Sequence, residues 1–125
     1  MGRILVVLVG LVSIAIGAWA VADARGMASF VGITPAGPGS ENEIRAMYGG
    51  LEIGLGLFLL WCAANKSTVR TGLLCVVATV GGLGIVRIAG IAMDPSQPSM
   101  QLLFATAELA TTALAVIEIV RKRGT

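Results

Sequence analysis

The sequence predicts an all-α integral membrane protein, a four-helix bundle of up-down-up-down topology, and three observations carry that prediction. Of 125 residues, 56% are hydrophobic and only 13% charged, about half the charged share of an ordinary soluble domain. Four runs, residues 4–22, 46–65, 71–93 and 99–117, contain no charge other than Glu52, Arg87 and Glu108. Each run is near the ~20 residues that cross a ~30 Å hydrocarbon core, and each is apolar nearly all round, unlike a soluble helix with one polar face. Membrane-spanning strands would instead alternate apolar and polar residues over ~10 positions, and that alternation is absent.

The spans fall at about 4–22, 44–64, 69–93 and 99–120, forming a single transmembrane domain over residues 1–125. In the first span Gly10, Ser13 and Gly17 make a small-residue stripe suited to close helix packing. A rival reading takes "MGR", the apolar run and "AWA" at 18–20 as a secretory signal cleaved after Ala20; the run is longer than a usual signal core, which favours a retained helix. The loop over 23–40 ends in "TPAGPGS", which interrupts any helix. Its middle, "GMASFVGI", is apolar enough to lie in the interface or fold back on the helices. Ser40 and Glu43 fit a capping box that starts the second span at about Glu41. Pro95 ends the third span at or before Asp94, and Pro98 suits the first turn of the fourth. Short connections favour antiparallel neighbours. In the second span Gly50 and Gly54 form a G-x-x-x-G pair, which points to close packing within the bundle or to a homo-oligomer.

The net charge of +2 is too small to imply nucleic acid as a partner; the lipid bilayer is the partner expected. The placement of the cations says more. Arg3, Lys66, Arg70, Arg121, Lys122 and Arg123 fall on one side, whereas the first loop holds only Arg25 before Arg45 and the 94–98 loop holds none. By the positive-inside rule both termini are cytoplasmic, with Trp19 near the outer boundary and Trp61 near the inner one. Cys62 and Cys75 match no metal or redox spacing and read as packing residues. The chain has no His, which removes bis-His haem ligation, His zinc sites and His proton relays. No metal and no cofactor are expected.

The intramembrane charges are the candidate site. On a helical wheel Arg45, Tyr48, Gly49, Glu52 and Gly56 share one stripe, Leu83, Arg87, Gly90 and Asp94 another, and Gln101, Phe104, Ala105, Glu108, Thr111 and Thr112 a third. Glu52, Arg87 and Glu108 fall at ~12, ~9 and ~13 Å below the outer ends of their spans, so one level holds three charges. An isolated charge there costs ~2.5–3.5 kcal/mol, and mutual pairing is the cheapest remedy. The expected arrangement sets Arg87 between Glu52 and Glu108, with Arg45, Tyr48 and Asp94 nearer the outer water. Glu118 lies near the cytoplasmic boundary, within reach of Arg121 and Lys122.

The stretch "NEIRAMYGGLEIGLGLFLL", with an arginine in the glycine-rich "GGLGIVRIAG" of the third span, resembles a small four-span membrane family known as domain of unknown function 4345. The resemblance implies a bacterial inner-membrane location and brings no activity with it. In architecture alone the chain is also similar to DoxX-like membrane proteins, which would imply quinone or redox association; no redox motif in the chain accompanies that likeness.

Three functions fit these residues. The leading one is a non-enzymatic protein that binds a small amphiphilic or lipid-like ligand, or a membrane partner, through a pocket of Arg45, Glu52, Arg87 and Glu108. A second is an intramembrane enzyme with Glu52 or Glu108 as general acid/base. A third is a small oligomeric transporter, against which the few polar groups in the cytoplasmic halves of the later spans count.

Overall fold

The computed structural model describes residues Met1–Arg121. The described residues form an all-α structure: α1 (Gly2–Ala22), α2 (Ala24–Phe30), α3 (Pro38–Ile44), a π-helical segment (Arg45–Gly50), α4 (Leu51–Ala64), α5 (Val69–Met93) and α6 (Ser99–Arg121). The stretch Pro38–Ala64 is long and apolar enough to cross a membrane, as are α1, α5 and α6. The described residues divide into two compact units, Val7–Trp61 and Met1–Val6 with Cys62–Arg121.

In the Val7–Trp61 unit, α1 runs antiparallel to the π segment and α4, because Gly10 faces Gly56 while Gly17 faces Gly49. A Cβ on Gly17 would stand 2.7 Å from the Gly49 carbonyl oxygen, and one on Gly56 would stand 2.5 Å from that of Gly10. Glycine lets the two backbones approach this closely. The glycines recur every seven residues on each helix, so one seam of the left-handed heptad kind meets the partner twice. Ser13 and Ala20 lie buried on the same face of α1.

Two departures from the sequence reading occur in this unit. The first loop contains a helix, α2, capped by the Asp23 carboxylate, which accepts the Gly26 N–H at 2.9 Å. It ends in a Schellman motif: Ile33 N–H bonds Ala28 O at 2.8 Å and Gly32 N–H bonds Ser29 O at 3.1 Å, with Gly32 at φ 81°. The second departure concerns the start of the spanning helix, which begins at Pro38 and not at about Glu41. Proline suits a first helical turn, where its missing N–H has no partner to lose. Ser40 Oγ reaches back, accepting the Ala36 and Gly37 N–H groups at 2.9 and 3.0 Å.

In the other unit α5 and α6 form an antiparallel hairpin, Gly81 against Thr112 and Gly84 against Leu109. Leu73, Val76, Ala105, Ala115 and Ile119 are buried there. The helices join through a turn held by Asp94, which has the extended backbone (φ −137°, ψ 91°) favoured before proline. Pro98 lies just outside α6, its carbonyl accepting the Gln101 N–H at 2.9 Å. At the opposite end Thr68 Oγ donates to the Cys62 and Asn65 carbonyls at 2.8 and 3.0 Å. Cys62 is buried, Cys75 is half-buried, and both are free thiols.

Candidate functional site

Gly84 brings α5 close to α6: a Cβ there would lie 3.0 Å from Leu109 and 3.2 Å from the Glu108 Cβ. Arg87, one turn further along α5, therefore emerges beside the face of α6 that carries Glu108, Phe104 and Gln101. Its Nε and Nη2 donate to the two Glu108 carboxylate oxygens at 2.9 Å each, and its Nη1 donates to Gln101 Oε1 at 2.6 Å. The Phe104 ring centroid lies 5.4 Å from the guanidinium carbon, within cation–π range. The arginine is 25% exposed and the carboxylate 16%. A bidentate pair of this kind is directional as well as attractive, so the guanidinium plane is held on three sides.

Beside this pair opens a groove of about 580 Å³. Leu83, Val86 and Ile91 give it apolar walls, while Arg87, Gln97, Gln101 and Thr79 are its polar side chains, the Thr79 hydroxyl donating to the Cys75 carbonyl. Gly82 and Gly90 also line it, and nothing among the described residues stands within 4 Å of where their Cβ atoms would be. Small residues thus keep the groove wide on either side of Arg87.

The other residues singled out from the sequence fall in the α5–α6 turn and in the Val7–Trp61 unit. Asp94 is exposed in the α5–α6 turn, where Ser96 N–H and Oγ bond its Oδ1 and Gln97 Nε2 bonds its Oδ2 at 3.0 Å. Those bonds, the Ser96 hydroxyl first, hold its carboxyl below the ordinary 3.8. Arg45, Tyr48 and Glu52 belong to the Val7–Trp61 unit. Arg45 Nε donates to the Val21 carbonyl at 3.3 Å, near the C-terminus of α1, and Tyr48 packs on Ala24, Ala28 and Ile44. Glu52 is half-buried. The stripe expected to carry charge into a pocket also carries Gly49 and Gly56, and within its unit this stripe is the one pressed against α1. Of the two glycine-bearing faces, the one with Gly49 and Gly56 makes the close backbone approach, matching Gly17 and Gly10 on α1. Gly50 and Gly54, expected to pack within the bundle or to join two copies, have nothing within 4 Å of a Cβ among the described residues.

The chain matches, over residues 1–118, the family model described as Domain of unknown function (DUF4345). It belongs to that family. No curated protein and no solved structure matches it. With four helices long and apolar enough to cross a membrane, this DUF4345 chain is a multi-pass membrane protein.

The family match reaches Glu118, a residue the sequence reading took as interfacial. Glu118 is buried, with 6% of its surface exposed. Its Oε2 accepts the Gly2 N–H at 2.7 Å and its Oε1 accepts an Arg121 N–H at 3.0 Å. Lys122, the other expected neighbour, and Arg123 lie outside the described residues. No helical-wheel pattern within one span could have found the Gly2 contact, because the partner is 116 residues away in sequence.

Proposed function

We propose that this DUF4345 protein is a non-enzymatic membrane protein that binds a small amphiphile in the groove beside Arg87. One observation carries the reading: an arginine fixed by Glu108 and Gln101 lines an open groove whose other walls are mainly apolar or glycine, with Gln97, Gln101 and Thr79 as the further polar side chains. That combination of a few oriented polar groups and a mainly apolar lining is the usual make-up of a small-molecule site. Charges within spans also tend to mark sites. Glu108 commits both oxygens to Arg87, which argues against its use as a general acid or base.

The protein resides in a bacterial inner membrane with both termini cytoplasmic. The skewed placement of its Lys and Arg supports that orientation, and the family resemblance supports the location. The ligand reading is tested by purifying the full chain in mild detergent and identifying retained amphiphiles by native mass spectrometry. Wild-type protein retaining one class of amphiphile, with loss on Arg87→Met, is the expected result. Retention unaffected by that change overturns the proposal.

A further inference from the structure

We infer that the ligand carries an uncharged, oxygen-bearing head on one apolar chain, the chemistry of a monoacylglycerol; this rests on the amphiphile reading above. The first ground is charge balance. Among the described residues Arg87 is the one cation lining the groove, and Glu108 meets it with two 2.9 Å hydrogen bonds. A phosphate or carboxylate head would set a second anion against one arginine in a medium that screens poorly. A cationic head would meet Arg87 itself.

The second ground is the donors left over. A guanidinium has five N–H groups, of which Glu108 takes two and Gln101 one. The remaining N–H groups, on Nη1 and Nη2, suit the carbonyl or hydroxyl oxygens of a neutral head.

The third ground is length. From Thr79 to Ile91 the groove follows α5, roughly 18 Å at 1.5 Å per residue. Half of a ~30 Å hydrocarbon core is ~15 Å, so the groove matches a single chain in one leaflet. Its charged and amide groups, Gln97, Gln101 and Arg87, lie in the half toward the α5–α6 turn together with Ile91; Leu83 lies deeper along α5, as does Thr79, whose hydroxyl donates to the Cys75 carbonyl at 2.8 Å.

Two probes with the same chain separate the possibilities: monooleoylglycerol, which is neutral, and oleyl sulfate, which is permanently anionic. Each is titrated into the full-length protein in detergent, with binding read by native mass spectrometry. The wild type is expected to bind the neutral probe about tenfold more tightly, equivalent to ~1.4 kcal/mol. Glu108→Gln leaves Arg87 unbalanced and should reverse that order. Val86→Trp, at an exposed groove-wall position, adds bulk to the groove wall while keeping both members of the ion pair and should abolish binding of both probes. If oleyl sulfate binds the wild type as well as monooleoylglycerol does, the neutral-head inference is overturned and the amphiphile reading stands. If neither probe binds, the amphiphile reading falls and takes the inference with it. Binding unchanged in Val86→Trp places the probes outside the groove and overturns the inference as well.

Discussion

The Glu118 carboxylate accepts the Gly2 N–H at 2.7 Å, so the end of α6 satisfies the first turn of α1. Helix N-termini leave N–H groups without intrahelical partners and favour a negative charge beside them, and Glu118 supplies both from a buried position. Glu118→Ala should therefore lower stability in detergent by ~1–3 kcal/mol, the cost of stranding a buried partner. Arg121 is 65% exposed, and Arg121→Ala should cost under ~1 kcal/mol. Thermal unfolding of the two variants reads the difference. Equal losses would mean that the ion pair, and not the Gly2 contact, is what matters.

The glycine seam gives a sharper contrast. Gly49→Ala and Gly56→Ala each place a methyl group against a neighbour already at 2.5–2.6 Å, and overpacking of this kind costs ~1–3 kcal/mol. Gly50→Ala and Gly54→Ala meet open space and should leave stability unchanged or slightly raised, since alanine favours helix by up to ~1 kcal/mol. Oligomer size measured on the same samples reports whether the outward Gly50–Gly54 face joins two copies. Destabilisation by the Gly50 and Gly54 changes at unchanged oligomer size would contradict the seam described here.

These contrasts show what a single chain's pattern can and cannot convey. Span length and apolarity were legible because the bilayer imposes them on each helix separately. The bounds of α5 follow the same way, Pro95 setting the end at Met93. Arg87 and Glu108 were read as two of three charges at one level that need compensation; the third, Glu52, belongs to the other unit. The orientation of the Pro38–Ala64 helix was not, because its glycines at 49, 50, 54 and 56 offer two candidate contact faces. Only the matching spacing of Gly10 and Gly17 on α1 distinguishes the Gly49–Gly56 face, and that is a comparison between helices. The π segment over Arg45–Gly50 left no recognisable mark beyond the family-like "RAMYGG" itself.

The α5–α6 turn should respond to acid. The Asp94 carboxyl is held below its ordinary 3.8 by bonds from Ser96 and Gln97. A depressed folded value means that the stabilisation is fully present above the ordinary value and is lost as pH falls through the lower folded one. Carboxyl NMR should show Asp94 titrating below 3.8, and Ser96→Ala, which removes the leading cause, should move the midpoint back toward it. A wild-type midpoint at or above the ordinary value would show that the turn is not held this way.

The Arg87–Glu108 pair is best tested as a cycle. Arg87→Met leaves the Glu108 carboxylate without its two donors; breaking a fully buried pair from one side costs ~3–5 kcal/mol, and this half-buried one should cost less. Glu108→Leu strands the arginine in the same way. The double variant strands neither, and replacing both partners of a buried pair by apolar groups is often close to neutral. The two single losses should therefore sum to several kcal/mol more than the loss in the double variant, a coupling that denaturation of all four proteins can resolve. Additive losses would show that the two side chains stabilise the hairpin independently, in spite of their contact. The double variant also separates structure from function. If the pair only fixes the register of α5 against α6, a folded double variant should keep any bound amphiphile. If Arg87 supplies the N–H groups that hold the ligand head, the double variant should fold and lose it, and that second outcome is the one the groove predicts.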